Sequence, residues 1–307
     1  ADAMQRQVRE DGSHFEQSLY YHLYALDFFL LHRSLAKCSA AYEERLQRMA
    51  EFLHAMMGPA RVLPLIGDDD GGRLAHPYGD RTTFGRETLA QLAGSAEWPH
   101  RSRLFADAGI AVMVAGDVHV VVKAGGFGEG SGGHSHSDVL SLVVRLGDRE
   151  LLIDPGTYTY ISDPMERDRF RGSAAHNTLR IDGRDQAVPA GPFRWNEKPE
   201  VRVIEWTGEV LEAVCTYGGF THRRRFVLEK RSLKITDIVE GPPGEHTIEQ
   251  FWHLGAAEEA RRFHLAGDAK LVDGWRSRAL VSREKAPLLQ MEVRSTLPVT
   301  LETTIDL

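Results

Sequence analysis

The chain has 307 residues, 42% hydrophobic and 26% charged, a globular balance with room for one large domain or two of ordinary size. Its formal charge of −7 argues against a general nucleic-acid or membrane-surface binder, and no apolar run approaches the ~18 residues of a membrane span. Cys38 and Cys215, the two cysteines, sit in dissimilar surroundings and suggest no disulfide framework.

Within an N-terminal helical segment taken as 1–66, residues 15–66 read as helical. Between 15 and 37, Leu19, Leu23, Leu26, Leu30 and Leu31 recur at helical spacing with no Gly or Pro. A second amphipathic stretch, 42–57, is closed by Gly58-Pro59. The short Ser39-Ala40 connection makes the two an antiparallel hairpin, too small to bury a core alone. Residues 67–100 form a polar, Gly-rich junction opening on Gly67-Asp68-Asp69-Asp70-Gly71-Gly72. The three Asp lack the spacing of a helix–loop–helix calcium site and read as turn formers. One short helical signal lies at 86–92.

From 101 to 307 the pattern changes to short β-like runs: 110–115, 118–122, 179–181, 201–206, 211–217, 224–228, 233–238, 247–253 and 299–305. With no helices between them, they predict an antiparallel sandwich. The fold class is therefore α+β, a helical N-terminal piece followed by a large antiparallel β-sandwich.

The densest chemistry lies in the run Gly132-Gly133-His134-Ser135-His136-Ser137-Asp138, with Asp154 and His176 following. His136, Asp154 and His176 suit a divalent metal, zinc above all, and leave one position open. His134 stays free for proton chemistry. The same pattern also fits polar loop residues with no joint role. Residues 139–146 and 151–154 read as strands joined at Gly147-Asp148. Leu140, Leu142 and Val144 then share the apolar face with Leu151 and Ile153, and Asp154 faces the opposite side beside Ser141. His136 has the parity of the apolar face, so it meets Asp154 only if the chain bends at 135–138. Arg167, Arg169 and Arg171 form a positive cluster suited to an anionic substrate, or a merely solubilising loop.

The segments GHSHSDVLSLVV, LLIDPGTYTY and RGSAAHNTLRIDG together resemble the central part of the heparinase II/III-like polysaccharide lyases. EDGSHFEQSLYYHLYALDFFLL, LPLIGDDDGGRL and FADAGIAVM resemble further segments of that family, so the likeness spans most of residues 10–305. It implies an (α/α) toroid followed by a β-sandwich, and β-eliminative cleavage of uronic-acid-containing glycans in the cleft between them. It implies zinc on His136, Asp154 and His176, catalytic roles for His134 and Tyr21, and Tyr158 facing the same cleft; Arg171, from the positive cluster, is the expected substrate contact. A periplasmic or secreted location goes with it. Structural alternatives stand beside these roles: Tyr21 as an interfacial aromatic, Tyr158 as packing in a Pro-Gly turn. His14, His22 and His253 read as structural.

The family's toroid carries helical hairpins before the Tyr-bearing helix that have no counterpart ahead of Phe15. An incomplete chain is expected, with little or no lyase activity by itself on heparan-type glycans, alginate or hyaluronan. The exposed apolar side of the 15–37 helix would make it sticky or homo-oligomeric. Two competing readings are a zinc-containing carbohydrate-binding or scaffold module without turnover, and a metal-dependent hydrolase. The hydrolase reading is disfavoured because Val139 follows Asp138 where its motif places another His, and βαβ alternation is missing.

Overall fold

The computed structural model describes residues 2–74, 79–92 and 98–307. Its helical part holds α1 (Asp2–Gln7), α2 (Leu19–Leu35), α3 (Ala40–Met57) and α4 (Phe84–Leu89). Helix α2 starts later than the apolar spacing suggests. Ser18 is extended and its hydroxyl accepts from the Tyr21 amide at 3.2 Å, while Gln17 before it is left-handed at φ 59; together they cap the helix and end it there. Ser39 caps α3 in the same way through the Tyr42 amide. No helix among the described residues is long and apolar enough to cross a membrane.

The strands are β1 (Arg103–Phe105), β2 (Ile110–Ala115), β3 (Val118–Lys123), β4 (Ser141–Leu146) and β5 (Arg149–Leu152), which form one antiparallel sheet in chain order. After α5 (Pro164–Arg171) come β6 (Leu179–Ile181), β7 (Val188–Pro189), β8 (Trp195–Glu197), β9 (Glu200–Trp206), β10 (Val210–Tyr217) and β11 (Phe220–Leu228). The remainder are β12 (Ser232–Glu240), β13 (Glu245–His253), β14 (Phe263–Leu265), β15 (Ala269–Ala279), β16 (Ser282–Thr296) and β17 (Val299–Asp306). They build a six-stranded sheet ordered β14-β17-β12-β11-β10-β9, a four-stranded sheet ordered β15-β16-β13-β6, and the small pair β7-β8.

One large core joins these sheets: Val120, Val122, Leu142 and Val144 pack with Leu211, Phe226, Ile235, Ile248, Trp252 and Met291. The other face of the first sheet is buried too, with Ile110, Val112, Val121 and Val143 against Leu19, Phe52 and Met56 of the helices. Being covered on both faces, β3 reads as the unbroken run Val-His-Val-Val-Val-Lys, all six residues buried. A third cluster, with Leu23, Leu26, Leu30, Leu46, Met49, Leu53 and Phe84, holds the helices together.

The predicted runs at 110–115, 179–181 and 299–305 appear as strands within a residue of their expected ends. Several elements lie outside the expected runs: α1, α5, the short strands β1, β7, β8 and β14, and the long hairpin β15–β16. Asp163-Pro164 is a helix-start signal, and the Asp163 carboxylate accepts from the Met165 and Glu166 amides. The hairpin escapes a periodicity reading because its outer half is charged and exposed, so neither face alternates cleanly. The Gly147-Asp148 turn forms as expected, but a bulge pairs Val144 with Leu152. Leu151 and Leu152 therefore both enter the core, and Ile153 leaves the face assigned to it.

Candidate active site

Four loops converge at the N-terminal end of α2. Residues 66–72 are pinned on three sides: the Leu19 amide donates to Ile66 O (3.1 Å), Ser18 Oγ to Asp68 O (2.6 Å), and the Asp68 amide to His134 O (2.9 Å). The passage is narrow. A Cβ on Gly67, which sits at φ +75, would lie 3.0 Å from both His134 O and Ser18 Cα. Residues 132–140 turn twice, with the Ser135 amide on Gly132 O (2.9 Å) and the Ser141 amide on Asp138 O (3.1 Å), and Leu140 is left-handed at φ 61. This is the bend that the parity of His136 demands, and it delays β4 until Ser141.

The bend brings His136, Asp154 and His176 together. All three are buried, and their ligand atoms lie within 4.8 Å of one another. Among the described residues, His136 Nδ1 and His176 Nε2 have no hydrogen-bond partner. A buried polar atom left unpaired costs about 1–3 kcal/mol, and a cation between the rings would use both lone pairs. The donor set of two imidazoles and a carboxylate fits a divalent metal. Burial holds the His136 imidazole below its ordinary value, in the neutral form a metal needs. Burial acts the same way on His176, but the carboxylate of Asp154, 2.9 Å from Nδ1, outweighs it and raises that ring. Behind these loops the buried Arg224 of β11 donates through Nη1 to Leu140 O (2.9 Å) and Asn177 O (2.8 Å). Asp237 of β12 accepts from its Nε and Nη2 at 2.6 and 3.0 Å, so the sandwich core anchors the loops that carry His136 and His176.

Tyr21 and His134 face each other beside the metal site. Their rings stack with centroids 4.1 Å apart. The Tyr21 hydroxyl donates to Asp70 Oδ2 (3.0 Å) and lies 3.2 Å from the Tyr160 hydroxyl. Burial and the carboxylate of Asp70 raise this phenol well above its ordinary range, although the bond to Tyr160 opposes them. His134 Nδ1 lies 3.2 Å from Asp68 Oδ2, and its side chain keeps 25% of its surface exposed. No hydrogen bond involves its Nε2 among the described residues.

Two of the expected site residues stand elsewhere. Tyr158 packs on Phe170 with the Arg283 guanidinium over its ring at 4.6 Å; the hydroxyl that meets Tyr21 belongs to Tyr160, two residues on. Arg171 cannot serve as a substrate contact, because its side chain is 1% exposed. Its donors are spent on Asp168, Gly191 O and Pro192 O, and Trp195 covers its plane at 4.4 Å. Arg167 is buried as well, paired through both terminal nitrogens with Asp68, and Arg169 lies on the surface near Glu166. His22 and His253 bond backbone carbonyls, Met49 O and Ala174 O, while His14 is buried against Phe15 and Glu16.

The model for "Heparinase II/III-like, C-terminal" matches residues 98–306, and that for "Heparinase II/III N-terminus" matches residues 1–76. The chain belongs to the heparinase II/III-like family. Heparan sulfate lyase HepC from Pedobacter heparinus is similar in fold, with 19% identity and a TM-score of 0.77 over 99% of this chain and 54% of its own. A structure titled Heparinase III gives 18% identity and a TM-score of 0.79 over 100% of this chain and 56% of its own. The chain thus spans little more than half the length of these relatives. No curated protein matches it in sequence.

Within this heparinase-like frame, sequence reasoning missed Asp68, Asp70, Arg167 and Tyr160. Asp69 and Asp70 do form turns, accepting from the Gly71 and Gly72 amides at 2.8 Å. Each Asp also has partners of its own. Asp68 meets the histidines, Asp69 is buried against Arg81, and Asp70 takes the Tyr21 hydroxyl. The available signal was three acids directly after the apolar Leu63–Ile66 stretch, an expensive place to bury charge without partners.

Proposed function

We propose that this protein is a polysaccharide lyase acting on a uronic-acid-containing glycan by β-elimination. The observation that carries it is the stacked Tyr21–His134 pair, with a partly exposed imidazole beside a phenol that burial keeps protonated. His134 Nε2 takes the C5 proton, the electron pair forms the C4–C5 double bond, and the C4–O4 bond breaks. Tyr21 donates its proton to the departing O4. Before substrate enters, the Tyr21 hydroxyl donates to Asp70 and lies beside Tyr160, so it must turn from Asp70 toward O4 to deliver that proton. The similarity to HepC favours a heparan-type glycan, and an enzyme for such a substrate works in the periplasm or outside the cell.

The metal in this reading is zinc, held by His136, Asp154 and His176, and the two unpartnered imidazole nitrogens support it. Zinc would supply structural cross-linking between the loops after Gly132, Ile153 and Ala175. The test is ultraviolet detection of unsaturated uronate from heparan-type glycans, alginate and hyaluronan with the intact protein. Tyr21→Phe should lose about 10²–10⁴-fold in turnover. Saturable glycan binding without any unsaturated product would overturn the lyase reading in favour of a binding module.

A further inference from the structure

We propose that Asp68 is a positioning residue that fixes, with one carboxylate, both the metal-facing nitrogen of His136 and the substrate-facing nitrogen of His134. This rests on the lyase reading for its catalytic half only. Asp68 is fully buried and its two oxygens are divided between the two rings. Oδ1 lies 3.0 Å from His136 Nε2, and Oδ2 lies 3.2 Å from His134 Nδ1. Arg167 grips the same two oxygens through Nη1 and Nη2, the latter at 2.7 Å, and is itself held by Pro192 O (2.9 Å) and Gly133 O (3.2 Å). Asp68 is further fixed through its backbone, between Ser18 and His134.

An ionised carboxylate only accepts hydrogen bonds. The Arg167 guanidinium, set against both oxygens, keeps Asp68 in that ionised form. Each ring nitrogen facing it must then carry the hydrogen. His136 is Nε2–H, which leaves Nδ1, the buried atom with no partner, as a lone pair toward Asp154 and His176. His134 is Nδ1–H, which leaves the lone pair on Nε2, the nitrogen free of other bonds. A carboxylate behind a metal-bound histidine is a common device for fixing its tautomer. Here the same group also serves the neighbouring proton-transfer histidine, so the metal loop and the acid–base pair share one orienting element.

Asp68→Asn separates this role from simple ion pairing. The amide has one accepting oxygen and one donating nitrogen, so it satisfies only one ring in its required tautomer. Facing nitrogen to His134 moves the lone pair to Nδ1 and removes the base; facing it to His136 turns Nδ1 into N–H and removes a metal ligand. Nitrogen-15 histidine spectra of the wild-type holoprotein, assigned with His134→Ala and His136→Ala, read the tautomers without any assay of turnover. The expected result is Nδ1–H at His134 and Nε2–H at His136, with one of the two reversed in Asp68→Asn. Turnover or metal affinity should fall at least about tenfold in that variant, with KM within about threefold. Added to His134→Ala with the metal site kept saturated, Asp68→Asn should cause no further loss of kcat, because its effect on turnover passes through that ring. The opposite tautomers in wild type, or a full multiplicative loss in the double variant, would overturn the proposal. If wild type forms no unsaturated product, the lyase reading fails, and the spectra together with metal affinity still decide the role of Asp68.

Discussion

Gly67→Ala tests how tightly the junction loop is threaded past His134. Two costs add. A left-handed alanine is disfavoured by about 1–2 kcal/mol. Its methyl would also lie 3.0 Å from Ser18 Cα and from His134 O, neither of which can swing aside as a side-chain end would. Relieving that contact requires a backbone shift of about 0.4 Å and costs about 1–2 kcal/mol more. The sum of about 2–4 kcal/mol corresponds to a Tm loss of about 4–8 °C in a chain of this size. Gly147 in the β4–β5 turn is the control, since it is also left-handed (φ +56) but has nothing within 4 Å of an added Cβ. Gly147→Ala should lose only the first part, about 2–4 °C, with turnover unchanged. Gly67→Ala should also lower kcat about tenfold, because the loop it displaces carries Asp68 and Asp70 beside the reacting groups. The assays are differential scanning calorimetry and unsaturated-uronate release. Equal Tm losses in the two variants would refute the threading argument.

Replacing His136, Asp154 or His176 by alanine should remove metal, measured by elemental analysis, and lower Tm, whereas His134→Ala should keep the metal. Tyr158→Phe should retain most of its activity, while Tyr160→Phe, which loses the hydroxyl beside Tyr21, should reduce kcat measurably. Asp237→Asn leaves the buried Arg224 guanidinium without its counter-charge and should cost about 3–5 kcal/mol in urea unfolding. Burial opposes ionisation of Asp237, but Arg224 and His222 hold it well below the ordinary carboxylate range. Its stabilisation is therefore complete above the unfolded pKa near ~4 and is lost as pH falls below that. Acid unfolding should consequently begin at higher pH for a variant whose Arg224 contact is weakened.

The architecture was legible where burial imposes a period. The leucines of α2 and the alternating or fully apolar strands of the sandwich each declare one face, or two, to a core. The clustering of His136, Asp154 and His176 was legible because residue type limits the chemistry and strand parity showed that a bend had to exist. What escaped was pairing across distant loops. Nothing local to Asp68 says that Arg167 will neutralise it, and the TYTY segment offers two tyrosines of equal parity, of which three-dimensional packing sends Tyr158 to Phe170 and Tyr160 to Tyr21. Arg171 misled for the same reason: its charge looks available until the Asp168 carboxylate, two carbonyls and an indole surround it.

The β15–β16 hairpin reaches well beyond the sheet it extends. Ser277 donates its amide to Pro155 O and its hydroxyl to Thr157 O, both at 2.7 Å, and the Val281 amide in the hairpin turn donates to Tyr158 O at 2.7 Å. The segment from Asp154 to Tyr160, with a metal ligand at one end and the Tyr21 partner at the other, is thus splinted from outside. Val281 is 70% exposed, yet its backbone is left-handed at φ 58, a rare state for a β-branched residue. Changes of length or residue at this solvent-facing turn would shift Asp154 relative to Tyr160 while leaving both side chains themselves untouched.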